Sequence, residues 1–103
     1  RLKENISQLQ NALTGVQALN GYTFTMKDDD SSVVEYGLIA QEVESVFPEL
    51  VSTQEDGYQR LNYIGLIAPM IESIKEQQAI IDAQGAAIEE LSGRLDQLET
   101  QLQ

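Results

Sequence analysis

Residues 67–102 read IAPMIESIKEQQAIIDAQGAAIEELSGRLDQLETQL, and one heptad register runs through them without a break. Position a reads Ile67, Ile74, Ile81, Ile88, Leu95 and Leu102; position d reads Met70, Gln77, Gln84, Leu91 and Leu98. Steps of three and four residues alternate throughout, which keeps one seam facing a partner along a left-handed supercoil. At ~1.5 Å per residue the helix would reach about 55 Å, far more than a chain this size needs to cover its own core. The expectation is that copies of the chain fill the seam, in a homo-oligomer.

The seam's details bear on how many copies. Ile at a with Leu at d favours a parallel dimer. Ile71 at e and Ile80 at g widen the apolar stripe beyond a two-stranded seam. Gln77 and Gln84 place amides at consecutive d positions, where they must bond to one another or cost ~1–3 kcal/mol each. Such self-pairing favours identical chains in parallel and in register. Arg94 at g precedes Glu99 at e by the spacing that joins parallel neighbours; an exposed pair contributes only ~0–1 kcal/mol but opposes antiparallel arrangements. Gly85 and Gly93 each weaken the helix by about 1 kcal/mol relative to Ala. The spacing points to parallel chains, with a trimer ahead of a dimer.

Composition narrows the function classes. The 103 residues hold 17 acidic and 6 basic side chains, a net charge of -11. That argues against nucleic acid, whose phosphates must be neutralised by Lys and Arg, and against an anionic membrane surface. No cysteine is present, which removes disulfides and thiolate sites, and no histidine, which removes Ser-His-Asp triads and imidazole metal ligands. No cofactor or metal pattern is visible. No apolar run reaches membrane-spanning length and no signal peptide is seen. The first residue is Arg rather than Met, so a fragment or processing product is expected.

The remainder reads as a small α+β head, residues 1–62, ahead of the stalk, 63–103, in a single domain. Arg1 to Ile6 is polar and extended. Leu9, Leu13, Val16 and Leu19 recur at helical spacing after Ser7, a candidate N-cap, and Asn20-Gly21 supplies a left-handed stop. Tyr22 to Lys27 alternates apolar and polar as a half-buried strand does. Asp28-Asp29-Asp30-Ser31-Ser32 lacks the alternate acids, Gly and distal Glu of a calcium loop, so a solvated hairpin loop is expected. Val33 to Leu38 returns as the partner strand. Ile39, Val43, Val46 and Phe47 share one helical face, with Gln41, Glu42, Glu44 and Ser45 opposite, and Pro48 ends the helix. Leu50–Thr53 and Tyr58–Leu61 form a hairpin about Asp56-Gly57. Asn62 caps the final helix, and Pro69 either kinks it or sits in its first turn.

Two segments carry a family resemblance: Arg1-Leu2-Lys3-Glu4-Asn5-Ile6, and Gly37 to Glu44 with Phe47-Pro48-Glu49-Leu50-Val51. They resemble the C-terminal intramolecular chaperone of phage tailspike and tail fibre proteins, the endosialidase-type self-cleaving domain. Leu19 to Phe24 and Leu61 through Glu76 fit it as well, so the likeness spans nearly the whole chain. The resemblance implies a domain that gathers three chains, helps the upstream fibre or spike region of the same precursor to fold, and then cuts itself off. The cut is made by a serine autopeptidase with a Ser-Lys dyad, the Ser opening a Ser-Asp-x-Arg-Leu-Lys segment. The match puts Lys3 at the general base and the nucleophile three residues before Arg1, so the chain as given holds no nucleophile and is inactive by itself. It also implies host cytoplasm during virion assembly, with the domain afterwards released from or kept on the virion tail.

The chemistry is coherent with a chain lacking histidine. A Ser-Lys dyad needs a lysine whose pKa burial has lowered, well away from carboxylates. Read without the family, Lys3 is an exposed lysine near a terminus. Gln41 and Glu42 either support the site, by orienting the N-terminal segment or a neighbouring chain, or are polar residues on a helix surface. The competing reading is a trimerisation or attachment module that performs no chemistry. Nothing in the residues supports a conventional enzyme or ligand-binding domain.

Overall fold

In the computed structural model, which describes residues 2–27 and 32–103, Leu2 to Gln10 form no regular element. The first helix, α1, covers Ala12–Gln17 and begins five residues after Ser7, which caps nothing. Asn11 enters it in the left-handed conformation, φ 59°, without a side-chain cap. The first-turn donors go elsewhere: the Ala12 and Leu13 N–H groups donate to the two carboxylate oxygens of Glu76, at 2.9 and 3.0 Å. A cap from 64 residues away leaves no trace in local periodicity. Asn20-Gly21 is not left-handed either. Instead, N–H groups of Ala18 and Leu19 bond back to Gly15 and Val16, closing the helix with a tightened turn.

β1 (Tyr22–Phe24) and β2 (Glu35–Gly37) pair antiparallel, with Tyr22 opposite Gly37 and Phe24 opposite Glu35. Both are shorter than the alternation predicted. A two-stranded ribbon is marginal alone; Glu42 and Tyr63 bond to this one, and Phe24 and Met26 are 39% and 54% exposed, about half-buried as expected. The loop at Asp28–Ser31 lies outside the described residues.

α2 (Ala40–Val46) turns Val43 inward, 1% exposed, while Ile39 at its N-cap stays exposed. Pro48 ends it as expected and opens a 3-10 turn, Pro48–Leu50. β3 (Val51–Thr53) and β4 (Gln59–Leu61) form the second hairpin, Val51 opposite Leu61. Its turn needs Gly57, which sits at φ +86°, and the Asp56 side chain accepts the Tyr58 N–H at 2.9 Å. Asn62 caps one step earlier than expected: its Oδ1 accepts the Gly65 N–H at 2.9 Å, in the 3-10 turn Ile64–Leu66.

α3 then runs unbroken from Ile67 to Gln101. Pro69 is its third residue, where an N–H would have no intrahelical acceptor, so the helix starts cleanly with Pro69 in its first turn. Ser73, buried, returns its hydroxyl to the Pro69 carbonyl at 2.6 Å. The architecture is a small mixed α+β head followed by one long helix.

The core is thin. Ala12, Val43, Leu66 and Pro69 are its buried apolar residues among those described. α1 packs between the start of α3 and the end of α2, and Gly15 permits the approach: a Cβ there would stand 2.7 Å from Phe47 Cζ and 3.2 Å from Val46 Cγ1. Gly15→Ala should therefore lower the thermal stability of the head. Overpacking against a rigid ring costs ~1–3 kcal/mol, against about 1 kcal/mol gained in helix propensity. Gly93→Ala, with open space around its Cβ, should shift the melt the other way by about 1 kcal/mol. Melting both variants beside the parent checks the pair; a Gly15→Ala chain as stable as Gly93→Ala would refute the close-packing account.

The chain exposes 8930 Å², whereas a compact monomer of its mass exposes about 5,800 Å². Its radius of gyration is 22.0 Å, against about 13 Å for a compact chain of this length.

Candidate functional site

Two features present themselves: the long face of α3, and the N-terminal segment that carries Lys3. At about 100° per residue, positions a, d and e share one side of a helix, c and f lie on the other, and g flanks the seam next to d. The head uses the c and f side and reaches round to g. Pro69 at c and Ser73 at g are buried under it, Glu76 at c holds the start of α1, and Glu72 at f accepts the Gln8 side-chain amide at 2.9 Å. The opposite side is open along the whole helix. Ile67, Met70, Ile74, Ile81, Ile88, Leu91, Leu95, Leu98 and Leu102 are all more than half exposed, as is Ile71 at e, and Gln77 and Gln84 stand among them. A sequence reading finds the stripe but not which side the head takes; that depends on contacts with residues about sixty positions away.

The residues that the resemblance singles out lie on two segments, Lys3 in the leading one and Gln41 and Glu42 on α2. Leu2 and Lys3 lie in the exposed leading segment, and among the described residues Lys3 has no hydrogen bond or ion pair. Glu42 faces the first hairpin instead, where both its oxygens accept the Tyr22 hydroxyl, at 3.0 and 2.9 Å. That bond to a carboxylate pushes the Tyr22 pKa up. Gln41 lies beside the second hairpin, in a groove with Tyr58 and Gln59. Gln59 donates to Glu44 at 3.0 Å and buries its own carbonyl oxygen without a donor. Among the described residues no hydrogen bond or ion pair joins Lys3 to Gln41 or Glu42, which adjoin each other on α2.

Sequence reasoning missed Tyr22, Tyr63 and Glu76. The Tyr63 hydroxyl accepts the Leu38 N–H at 3.2 Å and ties the first hairpin to the root of α3. Glu76 carries a lowered pKa because the Leu13 and Ala12 N–H groups bond its charged form. Nothing in the sequence separates Glu76 from the other acids of α3. Among the described residues no cluster of metal-ligating side chains occurs, and no helix is long and apolar enough to cross a membrane.

A short mixed head whose long helix keeps a continuous apolar face free of its own fold is the frame of an assembly module. Residues 1–52 match the model of the family described as chaperone of endosialidase, and the chain belongs to that family. It is similar to the long tail fiber protein Gp37 of Escherichia phage AR1, 37% identical over 84 residues, and to that of Salmonella phage S16, 39% identical over 77 residues. These matches cover 74% and 66% of this chain but only 8% and 10% of the relatives. The Gp37 of Enterobacteria phage T2 is 31% identical over 105 residues, 99% of this chain and 7% of its own length. The chain therefore spans a tenth or less of the relatives it matches.

Proposed function

We propose that this chain is the trimerising intramolecular chaperone of a phage tail fibre protein, released by autoproteolysis once the upstream fibre region has folded. The observation that carries the reading is the open a/d face of α3, opposite the side its own head covers. A face built from Ile and Leu at heptad spacing is complementary to copies of itself, and Gln77 and Gln84 pair only with equivalent amides in register. The area exposed beyond a compact monomer, about 3,000 Å², is on the scale buried in obligate assemblies. Three parallel stalks bring three upstream chains to one place, which removes much of the entropy cost of pairing them. Assembly takes place in the host cytoplasm, and the released or retained domain belongs to the virion tail.

The cut uses Lys3 as general base to a Ser three residues before Arg1. Its hydroxyl, giving its proton to Lys3, attacks the carbonyl of the preceding residue; the peptide C–N bond breaks as the Ser α-amine takes up a proton, and water then hydrolyses the resulting ester, freeing the upstream carboxylate and restoring the Ser hydroxyl. Sedimentation equilibrium of the chain should give three times its 11.4 kDa. A longer precursor with the fibre region and that Ser should split into two pieces, and fibre made without this domain should fail to form soluble trimers. A monomeric chain, or a fibre that folds as well without it, would sink the proposal. The exposure of Lys3 favours the second reading, a trimerisation module that stays attached; its mark is a trimer whose precursor never splits.

A further inference from the structure

We infer that Glu76 is an acid-sensitive latch, holding the N-terminal segment and α1 against the outer side of α3 and letting them go when it takes up a proton. The geometry is specific. α1 is six residues long, has no acidic residue in its first turn and receives no side-chain cap from Asn11. Its leading N–H groups would be orphans if the Glu76 carboxylate did not take one on each oxygen, at 2.9 Å from Ala12 and 3.0 Å from Leu13. A negative charge at this end also opposes the positive end of the helix. Ala12, 2% exposed, is pressed into the core at that point.

Beyond the apolar packing of Ala12 and of α1 against Val46 and Phe47, few polar ties hold the segment. The groove between residues 8–11 and α3 is lined by Gln8, Leu9, Gln10 and Asn11 on one side and Glu72, Lys75, Glu76 and Ala79 on the other. The charged groups there are Glu72 and Lys75, paired with each other at 3.4 Å, besides Glu76 itself. From α1 and the end of α2 come Ala12, Leu13, Val46 and Phe47, none of them titratable. The Gln8 amide on Glu72 is a second, exposed tie.

Protonated, the Glu76 carboxyl keeps one good acceptor and turns one oxygen into a donor facing N–H groups. Its folded pKa lies below its ordinary 4.5, so the latch is fully set above that value and is lost as the pH falls through the folded one. The stalk responds the other way. Acid relieves the self-repulsion of a chain with net charge -11, so the latch opens while α3 stays helical. Residues 8–11 then leave the helix surface, and the leading segment with Lys3 loses its anchor there.

Amide exchange followed by NMR tests this with the intact chain. In the parent at pH 7 the Ala12 and Leu13 amides should be protected at least about tenfold over their intrinsic rates, and that protection should fall away as the pH is lowered stepwise below 4.5. Glu76→Ala should lack that protection at pH 7 with the helical signal of α3 unchanged, since Ala is a good helix former. Glu76→Gln should show weaker protection that no longer varies with pH, and Glu72→Gln should keep the parent's pH response. Protection that does not fall as the parent is acidified, or that survives in Glu76→Ala at pH 7, overturns the latch. So does a Glu76→Ala chain whose α3 melts with it, because Glu76 would then be holding the stalk rather than the segment. The trimer and its autoproteolysis are read by mass and by splitting, so a failure there leaves the latch standing, and a failed latch leaves them standing.

Discussion

Replacing Ile81 by Asp is expected to convert the assembled chain to monomer at micromolar concentration. Ile81 is at position a, half exposed in the single chain, and lies beyond the last residue of α3 that lines the head groove, so the head's own packing does not use it. Covering an isoleucine contributes about 2 kcal/mol. Three lost copies in a trimer give ~6 kcal/mol, more than four decades in the association constant, before any cost of burying carboxylates. The helix should follow. Past Ile80 nothing but the seam supports α3, and Gly85 and Gly93 each cost about 1 kcal/mol there, so the end of the helix frays once the seam is lost. Sedimentation equilibrium and far-UV circular dichroism measure the two effects. Gln97→Glu, at the outward position c of the same helix, is the control and should change neither. An Ile81→Asp chain with the parent's mass would mean that the apolar face serves something other than self-association.

What can be read from the sequence is what neighbouring residues decide among themselves. Pro48 ends α2 because it cannot donate, Asp56-Gly57 turns its hairpin because Gly57 takes a positive φ, and the apolar stripe of α3 follows from spacing alone. Elements whose limits are set from a distance escape such a reading. α1 begins at Ala12 rather than after Ser7 because Glu76 supplies its cap. β1 and β2 stop short because no third strand pairs with them among the described residues of the single chain. The candidate site shows the same division. The seam is legible, and its orientation away from the head is not, since that rests on Gln8 and α1 meeting Glu72 and Glu76. Glu42 reads either as a support of the Lys3 site or as a polar residue on a helix surface; its oxygens accept the Tyr22 hydroxyl, and no sequence pattern marks that pairing.

The second large effect concerns Lys3 in a precursor that carries the upstream Ser. Lys3→Ala should slow self-cleavage by roughly a thousandfold or more, since a positioned general base is worth ~10²–10⁴ and the serine hydroxyl is a weak nucleophile without one. Lys3→Arg is the sharper variant. It keeps the charge and the reach but cannot give up its proton, so it should be as inactive as Ala if Lys3 acts as a base. If Lys3 merely holds the segment in place by charge, Arg should cleave at close to the parent rate. The exposure of the leading segment in the single chain adds a second requirement. A lysine becomes a base at neutral pH only when it is removed from water, and in this protein that shielding has to come from the upstream region or from neighbouring copies. Cleavage should then depend on assembly, and Ile81→Asp, with its Lys untouched, should slow the cut along with the loss of trimer. Following the split product over time on denaturing gels for the parent and the three variants decides between these cases. Rapid cleavage by monomeric Ile81→Asp would show that the dyad is complete within one chain, and cleavage by Lys3→Arg would remove Lys3 from the chemistry.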